Sequence, residues 1–155
     1  MFANLKVMIG YVFFIGLLSV QLLRHCFAGE IFDPSQFDAV VMQDPRVFCI
    51  EFYSSMCGSC TEFAPTWATL EGKMTSVVTA KVNIDEKSGM ALAQKLGVLD
   101  EGLPNIRLFS RAGEENGESI LAGDAIPVKK LWSKLKHSVS SLSKANDGFY
   151  QKQDK

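Results

Sequence analysis

Cysteine and histidine are both scarce in this chain of 155 residues. The sequence holds four cysteines and two histidines, and one of the cysteines, Cys26, falls inside an apolar segment near the N-terminus. The three remaining cysteines are too few for the disulfide framework of a small secreted scaffold. A single Cys-x-x-Cys pair is also only half of what a structural zinc site built from two such pairs requires. We therefore expect neither a bound metal nor a cofactor.

A strong excess of charge of one sign is also missing. The sequence has 16 basic and 17 acidic residues and a formal net charge of −1. Nucleic-acid-binding proteins need a basic surface, so this balance argues against nucleic acid as a partner. The basic region is residues 129–155, with seven lysines and two aspartates. A solvated lysine face is the favoured interpretation of this region, and a partner-binding surface is the alternative.

One long apolar run is present, at residues 7–23. It is preceded by Lys6, and the small residues Cys26 and Ala28 follow it. A basic start, an apolar centre and small residues at the exit are typical of a secretory signal, so we predict a cleaved signal at residues 1–28. The alternative is an uncleaved membrane anchor, since the run has the length of a short membrane-spanning helix.

Either reading takes the rest of the chain out of the cytosol, to where disulfides form and persist. The length beyond the signal predicts one domain, at residues 29–142. Residues 143–155 are polar and rich in lysine, which predicts a disordered basic tail. We expect a compartment of the secretory pathway, such as the lumen of the endoplasmic reticulum or the cell exterior, or the periplasm if the chain is bacterial.

A Cys-x-x-Cys pair, Cys57 and Cys60, stands between two segments of different pattern. Residues 47–53 form a nearly continuous apolar run, which predicts a buried strand, and residues 61–74 have helical spacing. The first turn of a helix carries unpaired N–H groups and partial positive charge, which stabilise a thiolate. The spacing therefore predicts a redox dithiol, whereas Cys49, inside the apolar run, is expected to be buried and inert.

The remaining pattern predicts an α/β domain. Helices and strands are expected in the order α, β, α, β, α, β, β, α, with an early parallel βαβ unit and a closing antiparallel hairpin. The predicted segments are 33–41, 47–53, 60–74, 77–84, 90–96, 105–109, 118–121 and 127–142.

Three stretches support a family resemblance. Residues 51–61 read Glu-Phe-Tyr-Ser-Ser-Met-Cys-Gly-Ser-Cys-Thr, residues 64–67 read Ala-Pro-Thr-Trp, and residues 103–104 read Leu-Pro. Over residues 31–142 the chain resembles the thioredoxin superfamily, and in pattern the catalytic a-type domains of protein disulfide isomerases. Their active-site stretch commonly reads Glu-Phe-Tyr-Ala-Pro-Trp-Cys-Gly-His-Cys-Lys. The resemblance implies a thioredoxin-like fold, with a central mixed sheet of four to five strands flanked by helices.

The resemblance also implies catalytic roles. Cys57 is expected to be the exposed nucleophile, and Cys60 the resolving thiol that forms the redox disulfide with it. Glu51 matches the acid that the family uses to move the proton of the second thiol. Burial in an apolar strand raises the pKa of a carboxyl group, which suits a proton acceptor. The alternative is that Glu51 faces water at the edge of the strand.

Five further residues are predicted to bind the substrate. Pro104, if its peptide bond is cis as in the family, presents the backbone of Leu103 to an extended substrate chain. Two departures from the family lie close to the first cysteine: Met56 replaces the usual Trp, and Ser59 replaces His or Pro. Because Ser can only donate a hydrogen bond where His adds charge, the direction of the chemistry stays open. The predicted substrate-binding set is Met56, Gly58, Ser59, Leu103 and Pro104.

Two functions from different classes follow. The first is an exported thiol–disulfide oxidoreductase that reduces, forms or isomerises disulfides of protein substrates with the help of an unidentified redox partner. The second is a thioredoxin-like peptide-binding or scaffolding subunit of a secretory-pathway or membrane assembly, with weak redox activity. In both, contact with a membrane is expected only if the N-terminal segment is uncleaved.

Overall fold

The computed structural model describes residues 29–30 and 34–154. The predicted signal at residues 1–28 lies outside the described residues. Within the described part of the chain, none of the helices combines the length and apolar character needed to cross a bilayer.

The described residues form five strands and five α-helices. A π-helical turn, Asp38–Met42, extends the first helix. The helices are α1 (Pro34–Phe37), α2 (Gly58–Glu71), α3 (Lys87–Lys95), α4 (Val98–Glu101) and α5 (Val128–Val139). The strands are β1 (Gly29–Glu30), β2 (Phe48–Tyr53), β3 (Val78–Asn83), β4 (Asn105–Phe109) and β5 (Glu118–Ala122).

The strands form one mixed sheet in the order β1-β3-β2-β4-β5. β3 is parallel to both β1 and β2, whereas β4 is antiparallel to β2 and β5 is antiparallel to β4. This arrangement confirms the predicted α/β fold, with its parallel βαβ unit and its closing hairpin. β2 is the central strand, which explains why its sequence is apolar at nearly every position.

The two faces of the sheet carry separate apolar clusters. On β2, Phe48, Ile50 and Phe52 pack towards α1, α3 and α4, whereas Cys49 packs with residues of α2 and α5. Because side chains alternate along a strand, Glu51 lies on the same face as Cys49, the face covered by α2. This alternation puts one carboxylate beneath the helix that begins at the cysteine pair.

Most element boundaries lie within a few residues of the predicted ones. α3 begins at Lys87 rather than at residue 90, and Gly97, with φ of 71°, follows its end. Glycine adopts this left-handed conformation without the strain that a side chain would add. The short helix α4 was not predicted; it forms in the stretch between Gly97 and Pro104.

The prediction of a disordered tail is wrong for residues 143–154, here named the tail segment. Its backbone forms bridges with residues beside two neighbouring strands, Gln151 with Arg46 before β2 and Gln153 with Arg111 after β4. Phe149 packs against the apolar cluster on one face of the sheet and Tyr150 against the cluster on the other. Lysine-rich composition suggested disorder, but two adjacent aromatic residues and regular backbone hydrogen bonds anchor the segment.

Candidate active site

Cys57 and Cys60 form a disulfide at the start of α2. Cys57 is the N-cap residue, and its Sγ accepts a hydrogen bond from the backbone N–H of Cys60 at 3.2 Å. Cys57 is half-buried, whereas Cys60 is only 4% exposed. Of the two sulfur atoms, that of Cys57 is therefore the one that another molecule can reach, and it lies at the positive end of the helix dipole.

Ser59 links the cysteine pair to the strand on the other side of the site. Its Oγ lies 3.1 Å from Sγ of Cys57 and donates to the carbonyl oxygen of Leu103 at 3.3 Å. The peptide bond between Leu103 and Pro104 is cis, as the family resemblance implied. Gly58 and Ser59 are exposed and Leu103 is half-buried, so the structure brings these three predicted substrate-binding residues and Cys57 to one accessible surface, whereas the side chain of Pro104 is buried.

Met56 lies at the outer edge of this surface. Its side chain is 86% exposed, the highest value among the large apolar residues that stand out as exposed in the described chain. A large apolar side chain is thus exposed to water beside the disulfide.

A carboxylate that the sequence analysis missed holds the redox loop, residues 54–60. Asp85 accepts hydrogen bonds from the hydroxyl groups of Ser54 and Ser55, both at 2.5 Å, and from the backbone N–H of Ser55 at 2.7 Å. The hydroxyl donors hold the pKa of Asp85 below its ordinary value. Parallel strands end at the same edge of a sheet, so the residues that follow β2 and β3 could have been expected to meet.

Glu51 lies on β2, two residues before the strand ends. The side chain is 1% exposed, and Nζ of Lys81 lies 3.1 Å from its Oε2. Burial raises the pKa of Glu51, and the charge of Lys81 acts in the opposite direction. The structure thus supports the buried interpretation of Glu51 rather than the water-facing one.

Cys49 does not belong to the site. It is fully buried in β2, and burial raises the pKa of its thiol strongly. A neutral, inaccessible thiol is a poor nucleophile, as the sequence predicted. Among the described residues, no group of three or more His, Cys, Asp or Glu side chains is arranged to hold a metal ion.

Comparison with known proteins agrees with this geometry. The family model described as Thioredoxin matches residues 30–137. The chain belongs to the thioredoxin family. This membership accounts for the strand order, for the position of the cysteine pair and for the proline opposite it.

Individual relatives are disulfide isomerases by name. The chain is 34% identical to "Protein disulfide isomerase-like 2-1" of Oryza sativa subsp. japonica over 91 residues, 55% of this chain and 24% of the relative. It is 31% identical over 85 residues both to "Protein disulfide-isomerase 1" of Dictyostelium discoideum and to "Protein disulfide-isomerase A6" of Homo sapiens. Each alignment covers 53% of this chain, and 23% and 19% of the relatives respectively. The chain thus spans about a quarter of the length of these relatives or less.

A second polar network, which the sequence analysis also missed, lies within this thioredoxin fold next to the proline. Glu101, the last residue of α4, contacts Arg107 and Asn105 on β4 and Ser119 on β5. Glu101 and Ser119 are 18 positions apart in the sequence, so no local pattern marks these residues as a group.

Proposed function

We propose that this chain is an exported thiol–disulfide oxidoreductase that reduces, forms or isomerises protein disulfides through Cys57 and Cys60. The observation that carries the proposal is the disulfide at the N-terminus of α2, with one sulfur accessible and the other buried. The relatives are named for this type of reaction. Proteins with accessible disulfides or thiols are the proposed substrates.

In the reducing direction, the reaction starts from the dithiol form. The thiolate of Cys57 attacks one sulfur of a substrate disulfide, a mixed disulfide forms, and the other substrate sulfur leaves as a thiolate. The N–H groups of the first turn of α2 stabilise the attacking thiolate. The hydroxyl of Ser59 lies 3.1 Å from Sγ of Cys57 in the disulfide form, and we assign to it a hydrogen bond to the thiolate, made when its single proton turns from the carbonyl oxygen of Leu103.

The second step releases the substrate. Cys60 loses its proton and attacks Sγ of Cys57, so that the intramolecular disulfide forms and the second substrate sulfur leaves and takes up a proton. We assign the acceptance of the Cys60 proton to Glu51, which is buried on the α2 face of the sheet and has a raised pKa. Run backwards, the same two steps transfer the disulfide to a substrate dithiol.

Substrate binding is assigned to the surface that surrounds the dithiol. The backbone of Leu103, the residue before the cis proline, lies beside Ser59, where an extended substrate chain can pair with it. Met56 supplies an exposed apolar contact. Backbone pairing and a flexible apolar side chain favour binding that tolerates many sequences.

A reduction assay on a disulfide-bonded protein such as insulin tests the proposal. The wild-type chain is expected to accelerate the reduction by dithiothreitol, and Cys57→Ser is expected to abolish the acceleration. Cys60→Ser is expected to accumulate mixed disulfides with substrates. A folded wild-type chain that binds peptides without accelerating the reduction would instead favour the peptide-binding subunit.

Export and the redox partner are part of the same proposal. The apolar segment at residues 7–23 supports passage through a secretory pathway, where a disulfide such as that of Cys57 and Cys60 persists. Repeated turnover needs a second thiol or disulfide compound to restore the starting state of the dithiol. Sequencing the N-terminus of the mature protein tests the cleavage.

A further inference from the structure

The segment that carries the proposed substrate-binding backbone, residues 98–104, is named here the proline loop. It connects α3 to β4 and contains α4. Val98 is buried in the apolar cluster on one face of the sheet, and Leu103 packs against the same cluster. The carbonyl oxygen of Leu103 accepts from Ser59, and that of Pro104 accepts from the N–H of Gly123 at 3.1 Å.

The carboxylate of Glu101 ties the proline loop to the sheet. Its Oε2 accepts from Nδ2 of Asn105 and from Oγ of Ser119, both at 3.1 Å. Its Oε1 lies 3.0 Å from Nη2 of Arg107. One side chain of the loop therefore contacts three donors on two adjacent strands, β4 and β5, and fixes the loop against both.

Arg107 depends on the same carboxylate. Its side chain is 6% exposed, and in the described part of the chain Glu101 supplies the carboxylate within 4 Å of it. Its other contacts are with uncharged oxygen atoms, including Oδ1 of the fully buried Asn105 and the carbonyl oxygen of Asn116, both at 3.2 Å. Because a buried guanidinium without a charged partner is strongly unfavourable, the ion pair holds the loop in one arrangement.

We propose that Glu101 is a positioning residue for the redox reaction. Resting on the proposed function, this inference assigns to Glu101 the placement of Leu103 and Pro104 against Ser59, and hence of the backbone with which the substrate pairs. Glu101 has no direct contact with the cysteine pair among the contacts of the described residues. Its effect is therefore expected on substrate binding, with the chemistry of the dithiol unchanged.

Glu101→Gln and Asp100→Asn form a matched pair of variants. Each removes one negative charge from α4 and keeps the size of the side chain. Asp100 is exposed and has no hydrogen bond or ion pair among the described residues, whereas Glu101 has three polar partners. A difference between the two variants therefore reports the contacts of Glu101 and not the charge of the helix.

The experiment measures steady-state reduction of a disulfide-bonded peptide by the full chain, with the reduction potential of the dithiol and the melting temperature of each variant. Glu101→Gln is expected to raise KM about three- to tenfold, since small displacements of a binding group reduce productive binding, and to leave the reduction potential at the wild-type value. Asp100→Asn is expected to match the wild type in all three measurements. Ser119→Ala, which removes one neutral donor, is expected to raise KM by a smaller factor.

Three results would overturn the inference. An unchanged KM in Glu101→Gln shows that the carboxylate does not position the binding edge. An equal rise in Asp100→Asn assigns the effect to net charge, and a fall in melting temperature and kcat at constant KM assigns Glu101 to stability alone. If the wild type itself fails to reduce the peptide, the proposed function fails together with this inference, whereas an active wild type with an unaffected Glu101→Gln removes the inference only.

Discussion

The two ends of β2 are built in different ways. At the C-terminal end of β2, side chains hold the redox loop and the proline loop. Asp85 accepts hydrogen bonds from the hydroxyl groups of two serines, and Glu101 forms an ion pair with Arg107. At the start of the strand, the tail segment is held by many backbone hydrogen bonds, as when the N–H of Val47 donates to the carbonyl oxygen of Tyr150 at 3.0 Å, and by the packing of Phe149 and Tyr150.

This difference has a consequence for mutation. Backbone hydrogen bonds survive most substitutions, so a single substitution in the tail segment removes a smaller share of its contacts than a deletion does. Contacts between a carboxylate and a hydroxyl or a guanidinium depend on individual side chains. We therefore expect deletions to report on one end of the domain and single substitutions on the other.

Deleting residues 143–155 is expected to have the largest effect on stability. It removes the half-buried side chains of Phe149 and Tyr150 and the backbone hydrogen bonds of the tail segment. The expected loss is about 3 kcal/mol in the free energy of unfolding, measured by urea denaturation. Turnover per folded molecule should stay near the wild-type value, because the segment lies at the opposite end of β2. A lower turnover by the shortened chain, measured where it is fully folded, would show that the two ends of β2 are coupled.

Glu51→Gln is expected to slow release of the mixed disulfide about a hundredfold and to leave the first attack intact, because the variant lacks the proton acceptor. Rapid-mixing measurements of mixed-disulfide formation and decay separate the steps. The exposed acid Glu62 on α2 supplies the control, Glu62→Gln, which should decay at the wild-type rate. Equal decay rates in Glu51→Gln and wild type would remove the assigned role.

The pKa of Glu51 also predicts how this variant changes stability. A carboxyl group whose pKa is raised on folding stabilises the folded state at pH values below its ordinary value of 4.5, and that stabilisation is lost as the pH rises through the raised folded value. Glu51→Gln is therefore expected to be more stable than the wild type at pH 7, with a difference that shrinks on acidification. Urea denaturation at several pH values measures the difference.

Asp85→Asn is expected to lower kcat/KM about threefold, because the redox loop loses charge-assisted hydrogen bonds from Ser54 and Ser55. Since the pKa of Asp85 is lowered, its stabilising contribution is present above its ordinary value of 3.8 and is lost as the pH falls through the folded value. Asp124→Asn, at an exposed acid near the end of β5, is the control and should behave as the wild type.

Substitution of Lys152, near the start of β2, is expected to have the smallest of these effects. Its Nζ donates to the carbonyl oxygens of Val41 and Asp44, and burial lowers its pKa to about 8 despite the charge of Asp44. Between pH 8 and its ordinary value of 10.5, the unfolded chain binds more protons at this group, so stability rises with pH. The stability of the wild type relative to that of Lys152→Met should therefore rise over this range, and a constant difference would contradict the shift.

The sequence predicted the parts of the molecule that depend on local pattern. The apolar run around Ile50 predicted the central strand, and the spacing of Cys57 and Cys60 predicted the redox pair at the start of α2. The burial of Glu51 could be expected from its apolar neighbours. The family resemblance then added the cis bond before Pro104.

The parts that were missed depend on contacts between distant residues. Asp85 meets Ser54 across 31 positions of sequence, and no local pattern marks either residue as one of a pair. The alternation of residue types along β4 predicts that Arg107 faces solvent. In the structure its side chain is buried and forms an ion pair with Glu101. The tail segment was missed because polar composition predicts disorder, whereas Phe149 and Tyr150 give it enough apolar area to dock.

Because Cys49 is buried, chemical modification of its thiol reports the local opening or unfolding of the domain. In the disulfide form of a chain that starts at Gly29, the remaining thiol is that of Cys49, which is sealed in the central strand. A maleimide or similar thiol reagent can modify it only when β2 opens. The labelling rate of the oxidised protein therefore measures the opening of the core, without an added probe and without any change to the active site.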